Sequence, residues 1–168
     1  MKKRLYIETS VWNQLEHGDR PDWHDSACKF KATLVQGHYE AYISDVVIEE
    51  LSMTTDNKLR EKLMGHIKAV EPFILEFDDE AKELTKKYMA ADFIVSSAPK
   101  VYNDSSHVAI ATVYGISHIV SYNFRHLVKD RRIDGFNGVN MLSGYEHAID
   151  ITTPDRFILY PDDWKAGQ

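Results

Sequence analysis

The chain has 168 residues, of which 43% are hydrophobic and 27% charged, and its formal net charge is −6 at pH 7. This length is enough for one folded domain over residues 1–168 and short for two. The acidic balance argues against nonspecific binding of nucleic acids, and the single cysteine, Cys28, excludes an internal disulfide. No apolar run approaches the roughly 20 residues that a membrane span needs, so we expect a soluble, cytoplasmic protein.

Apolar runs of strand length alternate with segments of helical periodicity, which is the pattern of βαβ units around a parallel sheet. The predicted elements of the first half are a strand at 5–7, a short helix around 11–15, a helix at 23–35, a strand at 41–43, a helix from 46 and a helix at 56–70. Those of the second half are a strand at 73–77, a helix at 78–91, a loop at 96–99, an apolar helix at 104–114, a strand at 118–121, a turn at 137–138, a last strand near 139–142 and a helical turn from 153. The pattern therefore predicts an α/β fold, a three-layer α/β/α sandwich with a mostly parallel sheet of about five strands.

Acidic and amide side chains follow the predicted strands or lie on the next helices. Glu8 ends the first strand and Asn123 follows the strand at 118–121, while Glu50 and Asp104 lie near the beginnings of helices. Ligands of open parallel sheets bind at the carboxyl ends of the strands, so these side chains are the functional candidates. Carboxylate and amide oxygens are the ligands that Mg²⁺ and Mn²⁺ prefer. The implied chemistry is phosphoryl transfer with a metal-activated water.

Each of these residues also has a structural interpretation. Asp104 could be a helix cap, Glu50 a solvated or ion-paired residue, and Asn123 a turn residue. Glu8 is harder to explain in this way, because a charge at the end of an apolar strand is costly to bury unless it is paired or bound to a metal. Two histidines, His107 and His118, could lie near the acidic cluster and assist it.

Four segments, in the same order along the chain, resemble the PIN-domain nucleases, and among them the VapC-type toxins of bacterial toxin–antitoxin pairs. The segments are 6–11 (Tyr-Ile-Glu-Thr-Ser-Val), 43–51 (Ile-Ser-Asp-Val-Val-Ile-Glu-Glu-Leu), 104–115 and 120–127 (Val-Ser-Tyr-Asn-Phe-Arg-His-Leu). They are similar to a strand ending in Asp-Thr-Asn/Ser-Val, a strand-turn-helix with Glu before Leu, an Asp-Ala-x-Ile-Ala-Ala-Thr-Ala helix and a Val-Thr-Arg-Asn-x-x-His-Phe segment. Each is weak alone, and the ordered set is fairly specific.

The resemblance implies a metal-dependent ribonuclease with one or two Mg²⁺ or Mn²⁺ ions. The metal-binding and catalytic residues that it implies are Glu8, Glu50, Asp104 and Asn123, supported by hydrogen bonds from Ser10 and Ser121. Glu50 is favoured over Glu49 because the family's acid directly precedes the leucine. The resemblance further implies an RNA substrate and a small antitoxin that blocks the cleft, and it is compatible with a homodimer.

Two departures from the family pattern keep a second interpretation open. Glu8 stands where the family usually has Asp, and Asn123 where it frequently has Asp. The extra methylene of Glu8 loosens a strict octahedral Mg²⁺ site, and the amide removes one negative charge. The alternative is a catalytically degenerate PIN-like domain that acts as a binding or regulatory module.

A run of basic residues follows Asn123. Its members are Arg125, His126, Lys129, Arg131 and Arg132. Such a run is often an ordinary solvated surface. If Asn123 faces the cleft, however, the lysine and the three arginines are placed to bind RNA phosphates at its edge.

Overall fold

Five parallel strands form one sheet in the computed structural model, which describes residues 1–162. The strands are β1 (Arg4–Ile7), β2 (Glu40–Ser44), β3 (Phe73–Leu75), β4 (His118–Val120) and β5 (Asp150–Thr152), and they pair in the order β3-β2-β1-β4-β5. In the register of the central strands, Leu5 lies beside Ala41 on one side and His118 on the other. The apolar residues of β1 are completely buried, as expected for a parallel strand that is covered on both faces.

Helices cover both faces of this sheet. Within the described range they are α1 (Thr9–Gln14), α2 (Pro21–Val35), α3 (Asp45–Ser52), α4 (Asn57–Val70), α5 (Asp79–Met89), α6 (Pro99–Val113) and α7 (Asp130–Leu142), with a 3₁₀ turn at Pro154–Phe157. The connections from β1 to β2 to β3 step in one direction along the sheet, and those from β3 to β4 to β5 step in the other. Because crossovers between parallel strands are right-handed, α1 to α4 lie on one face and α5 to α7 on the other. The predicted three-layer α/β/α sandwich is confirmed.

The direction of these connections reverses at β1, which lies between β2 and β4. In open α/β sheets a crevice forms at the carboxyl ends of the strands on either side of such a reversal. The residues that directly follow β1, β2 and β4 are Glu8, Asp45 and Ser121. The topology therefore brings the first two predicted site segments and the last one to the same edge.

The predicted turn at 137–138 and last strand near 139–142 are wrong. These residues belong to α7, and the last strand of the described range is β5 at Asp150–Thr152. Phe136 and Asn140 lie four residues apart and both contact Tyr88, through an edge-on ring packing at 4.9 Å between centroids and a hydrogen bond of 2.5 Å. Since a spacing of four places two side chains on one face of a helix, the buried contacts to Tyr88 explain why this segment is helical.

The Asn-Gly pair at 137–138, a turn signal in sequence, has a tertiary role instead. The Asn137 side chain bonds the backbone nitrogen and oxygen of Ile149 at 2.8 and 2.9 Å, directly before β5. The Asn137 amide thus pairs with the backbone of Ile149 as a neighbouring strand would. This contact fixes the beginning of β5 against α7.

The sequence predicts that Asp104 begins its helix, and this prediction is wrong. Helix α6 begins at Pro99, whose fixed φ and missing N–H suit the first helical position, so Asp104 lies in the second turn. It therefore does not cap the helix. By contrast, Asp56 is a true cap, since its carboxylate accepts hydrogen bonds from the backbone nitrogens of Lys58 and Leu59. No helix of residues 1–162 is long and apolar enough to cross a membrane.

Candidate active site

Glu8 joins the ends of the two central strands. It follows β1 directly, and its Oε2 atom accepts hydrogen bonds from the Ser10 backbone nitrogen at 3.0 Å, from the Ser10 hydroxyl, and from the Ser121 hydroxyl at 2.8 Å. Ser121 follows β4, so the carboxylate bridges β1 and β4. Only 1% of Glu8 is exposed, and the three donors offset part of the cost of burying it.

Glu50 reaches the same edge of the sheet from α3. Its Oε1 atom lies 2.6 Å from His107 Nε2 and accepts a hydrogen bond from the Thr9 hydroxyl at 3.1 Å. The other ring nitrogen of His107 lies 2.7 Å from the Tyr6 hydroxyl, which is 2.8 Å from the Ser44 hydroxyl. A hydrogen-bonded chain thus runs from β2 through β1 and α6 to α3. It ties the two helical layers together at the carboxyl edge, while the neighbouring Glu49 is exposed.

Burial and charge act in opposite directions on this pair. Burial raises the pKa of Glu50, but the hydrogen bond and charge of His107, aided by Lys100 and Thr9, hold it below its ordinary value. Burial lowers the pKa of His107, but the hydrogen bond and charge of Glu50 raise it above its ordinary value. The shifts on both partners therefore favour a carboxylate paired with an imidazolium.

Asp104 completes the acidic cluster from the second turn of α6. It is 1% exposed, and its Oδ1 atom lies 3.2 Å from the ammonium of Lys100, one turn earlier. Its Oδ2 atom is buried and has no hydrogen-bond partner among the described residues. A buried carboxylate oxygen without a partner is costly, so it marks the place where a cation or water would be accepted.

Lys100 lies near all three acids and contacts Asp104 directly. Burial lowers the pKa of Lys100, but the charges of Asp104, Glu8 and Glu50, with the Asp104 hydrogen bond, raise it above its ordinary value. One ammonium group thus experiences all three carboxylates. Within residues 1–162, no group of three or more His, Cys, Asp or Glu side chains is arranged to hold a metal ion directly.

Asn123 follows the Ser121 hydroxyl that holds Glu8, and its side chain is used within its own turn. Its backbone nitrogen donates to the Ser121 hydroxyl at 2.9 Å, and its side-chain oxygen accepts from the backbone nitrogen of His126 at 3.0 Å. The amide therefore closes the turn that leads out of β4, which is the structural role that an amide after a strand commonly has. The same contact fixes the start of the basic run.

The basic run begins directly after Asn123. Arg125, Lys129 and Arg131 are exposed, while Arg132 is half-buried and its Nη1 atom has no partner among the described residues. Burial and the charges of Arg132, Arg125 and Lys100 lower the pKa of His126, whereas Asp104 acts to raise it. His126 thus lies within electrostatic reach of both Asp104 and the arginines.

Several residues of this cleft are not identifiable from the sequence alone. Tyr6 lies inside an apolar strand and is typical of a core residue, and Thr9 is typical of a helix cap. Lys100 precedes Asp104 by four residues, a spacing that could have indicated their pairing once the helix was known to start at Pro99. His107 lies among the acids, whereas His118 begins β4 at the opposite end of the sheet and packs against Phe157.

The layers, the strand order and the cleft at the carboxyl edge define a PIN-like α/β/α fold. No family model matches the sequence, and no curated protein matches it. Among solved structures, the chain is similar to a chain in the crystal structure of FitAcB from Neisseria gonorrhoeae, with a TM-score of 0.56 and 12% identity. The similarity covers 89% of this chain and 97% of that chain. At this identity it establishes a shared fold.

Proposed function

We propose that this chain is a metal-dependent endoribonuclease with Mg²⁺ or Mn²⁺ bound among Glu8, Glu50, Asp104 and Asn123. The observation that carries the proposal is that Glu8, Glu50 and Asp104 lie close together at the carboxyl edge of the sheet, with a buried Asp104 oxygen that has no partner among the described residues. Clustered carboxylates repel one another, and a cation between them removes that cost. The PIN-like fold and the four sequence segments support the same activity.

The donor chemistry of the cleft fits a hard divalent cation. Mg²⁺ keeps several waters and is commonly bound through one or two carboxylates together with substrate phosphates, so it does not need an enclosed protein site. Glu8, Glu50 and Asp104 each accept hydrogen bonds through one oxygen, and the second oxygen of Asp104 is fully buried with no partner among the described residues, which makes it the most costly to leave unbound. We therefore assign Asp104 as the principal ligand.

The other residues of the cleft would position the reacting groups. When bound, the metal would activate a water and stabilise negative charge on the phosphate. Ser10 and Ser121 hold Glu8 in place, and Thr9 and His107 hold Glu50. Because these contacts exist before substrate binds, the carboxylates need little rearrangement during the reaction.

The substrate and partner follow from the surface around the cleft and from the family resemblance. Arg125, Lys129, Arg131 and Arg132 would bind RNA phosphates, while the acidic remainder of the protein repels nonspecific RNA. The resemblance to VapC-type toxins supports a role as the toxin of a toxin–antitoxin pair, with a small antitoxin that covers the cleft, and a homodimeric toxin.

A second candidate function has a specific observation in its favour. The Lys100 ammonium already lies 3.2 Å from Asp104 and is attracted by all three acids, as a metal ion would be. If this lysine neutralises the cluster permanently, the chain is a degenerate PIN-like domain that binds a partner without cleaving RNA.

Calorimetric titration of Mn²⁺, together with cleavage of labelled RNA with and without a chelator, separates these two functions. A ribonuclease should bind Mn²⁺ and lose its cleavage activity in the chelator, whereas a degenerate domain should show neither property. The adjacent glutamates provide a matched pair of variants. Glu50→Gln should reduce cleavage at least about 100-fold, while Glu49→Gln, on the exposed side of the same helix, should not. Cleavage that is insensitive to chelator would contradict the metal-dependent function.

A further inference from the structure

Three aromatic side chains and one arginine lie together beside the acidic cleft. Trp23 is in the first turn of α2, and Tyr122 and Phe124 flank Asn123 on the segment after β4. The Trp23 ring lies 5.2 Å from the Tyr122 ring, nearly parallel at 16°, and 5.2 Å from the Phe124 ring at 32°. The Arg20 guanidinium lies 3.8 Å from the centroid of Trp23. We call Trp23, Tyr122 and Phe124 the aromatic shelf.

The aromatic shelf is fixed relative to the carboxylates. The backbone nitrogen of Tyr122 donates to the Ser10 hydroxyl at 2.9 Å, and that hydroxyl also contacts Glu8. The Tyr122 hydroxyl donates to the backbone oxygen of Trp23 at 3.0 Å. One hydrogen bond thus connects the shelf to the side chain that holds Glu8, and the other fixes Tyr122 to Trp23 within the shelf, so a group bound on the shelf has a defined position beside the cleft.

Packing of the core explains Tyr122 but does not explain Phe124. Tyr122 is 5% exposed and forms the inner part of the shelf, whereas Phe124 remains 40% exposed. An exposed phenylalanine has no hydrogen-bonding reason to lie at a polar cleft, and its ring remains available for stacking. In sequence it lies between Asn123 and Arg125, the first residue of the basic run, and the Arg20 guanidinium lies on the Trp23 ring of the shelf.

Proteins bind single-stranded nucleic acids with exposed aromatic rings and nearby cationic side chains. Each base has a flat face that stacks on an aromatic ring, and the cations bind the adjoining phosphates. In a duplex the bases are already stacked on one another and are not accessible in this way. The cation at the shelf is the Arg20 guanidinium on Trp23, which is exposed and forms a loose ion pair with Asp22 at 3.7 Å, so a phosphate can compete for it.

We propose that the aromatic shelf is a stacking subsite for one unpaired nucleobase of single-stranded RNA, with Phe124 as the main stacking surface. Arg20 and Arg125 bind the phosphates on either side of that base. This inference rests on the proposed ribonuclease function, because it places the stacked nucleotide next to the bond that is cleaved. It adds a preference for unpaired RNA at this position.

The test measures RNA binding without cleavage. In an Asp104→Asn background with chelator present, fluorescence anisotropy compares labelled single-stranded oligoadenylate with the same strand in a duplex. Phe124→Ala should weaken binding of the single strand about tenfold and leave duplex binding unchanged, while Phe124→Tyr should retain the affinity. Phe73→Ala is the matched control, because Phe73 is 59% exposed and stacks on Tyr42 at 5.0 Å but begins the edge strand β3.

A second measurement uses the fluorescence of Trp23. In a Trp164→Phe background, binding of the single strand should quench it, and the quenching should disappear in Trp23→Phe, because the one remaining tryptophan, Trp12, is buried in the core. Unchanged affinity in Phe124→Ala, or an equal loss for the duplex, would overturn the stacking subsite. If single-stranded binding depends on Phe124 but the wild type never cleaves RNA, the subsite is supported and the ribonuclease function is not. If the wild type cleaves RNA and Phe124→Ala binds normally, the ribonuclease function is retained and the subsite fails.

Discussion

Replacing Asp104 by asparagine should abolish RNA cleavage while changing the stability of the fold little. The substitution keeps the size of the side chain and removes the negative charge from a carboxylate whose Oδ2 atom is buried without a hydrogen-bond partner among the described residues. Loss of one preorganised charged group of an active site typically reduces turnover about 100- to 1,000-fold. We therefore expect the rate of RNA cleavage to fall at least about 100-fold.

The expected effect on stability is small because two contributions oppose each other. The ion pair of Asp104 with Lys100 is lost, but the Lys100 side chain is 63% exposed, so this pair contributes at most about 1 kcal/mol. Repulsion of Asp104 by Glu8 and Glu50 is also removed, which favours the variant. The free energy of unfolding should change by less than about 1 kcal/mol, or roughly 2–4 °C in Tm for a protein of this size.

Asp56→Ala is the matched control for a structural acid. Asp56 caps α4 through two backbone nitrogens, so its removal should cost about 1 kcal/mol and leave cleavage unchanged. Urea denaturation and a gel assay with labelled RNA measure both quantities for each variant. A stability loss above about 2 kcal/mol in Asp104→Asn, with cleavage retained, would show that Asp104 has a structural role and refute our assignment.

Three further predictions concern the surroundings of the cleft. Tyr6→Phe should lower the free energy of unfolding by about 1–3 kcal/mol in urea denaturation, because it leaves two buried hydrogen-bonding partners of the hydroxyl unsatisfied; a neutral result would contradict this. The double variant Arg131→Ala/Arg132→Ala should weaken RNA binding and flatten its salt dependence in anisotropy titrations, and an unchanged salt slope would mean that RNA approaches from elsewhere. Burial and nearby positive charges hold the pKa of His118 below its ordinary value of 6.5, so its stabilising effect is complete above that pH and decreases as the pH falls toward the folded-state pKa. Between about pH 7.5 and pH 5.5, the free energy of unfolding in urea should therefore fall less in His118→Gln than in the wild type. An equal fall in both proteins would contradict a lowered pKa of His118 in the folded state.

Local patterns in the sequence were sufficient for most of the fold. The apolar run at 5–7, the helical spacing at 56–70, and the proline at position 72 that ends that helix depend on neighbours within a few residues. Their predicted positions agree with β1 and α4 to within one residue. The alternation of such elements also predicted a parallel sheet, because parallel strands need crossover connections.

Tertiary contacts decided the segments for which local signals were ambiguous. The Asn-Gly pair predicted a turn, but Asn137 bonds to Ile149 and the next helical turn contacts Tyr88, so residues 130–142 are helical. Similarly, the sequence allowed Asp104 to be the cap of a helix at 104–114. The helix begins at Pro99, so Asp104 lies in its second turn.

The sequence alone determined which oxygen donors could reach the carboxyl edge of the sheet, because strand ends and the family-like segments are local features. It did not determine what each donor contacts. The bond from Tyr6 to His107 joins residues 101 positions apart, and the one from Ser121 to Glu8 spans 113 positions. Such pairs form only after β1, β4 and α6 have packed, since contact between distant residues depends on the whole topology. The convergence of three acids on Lys100, and the exposed ring of Phe124 beside them, are therefore properties of the folded structure.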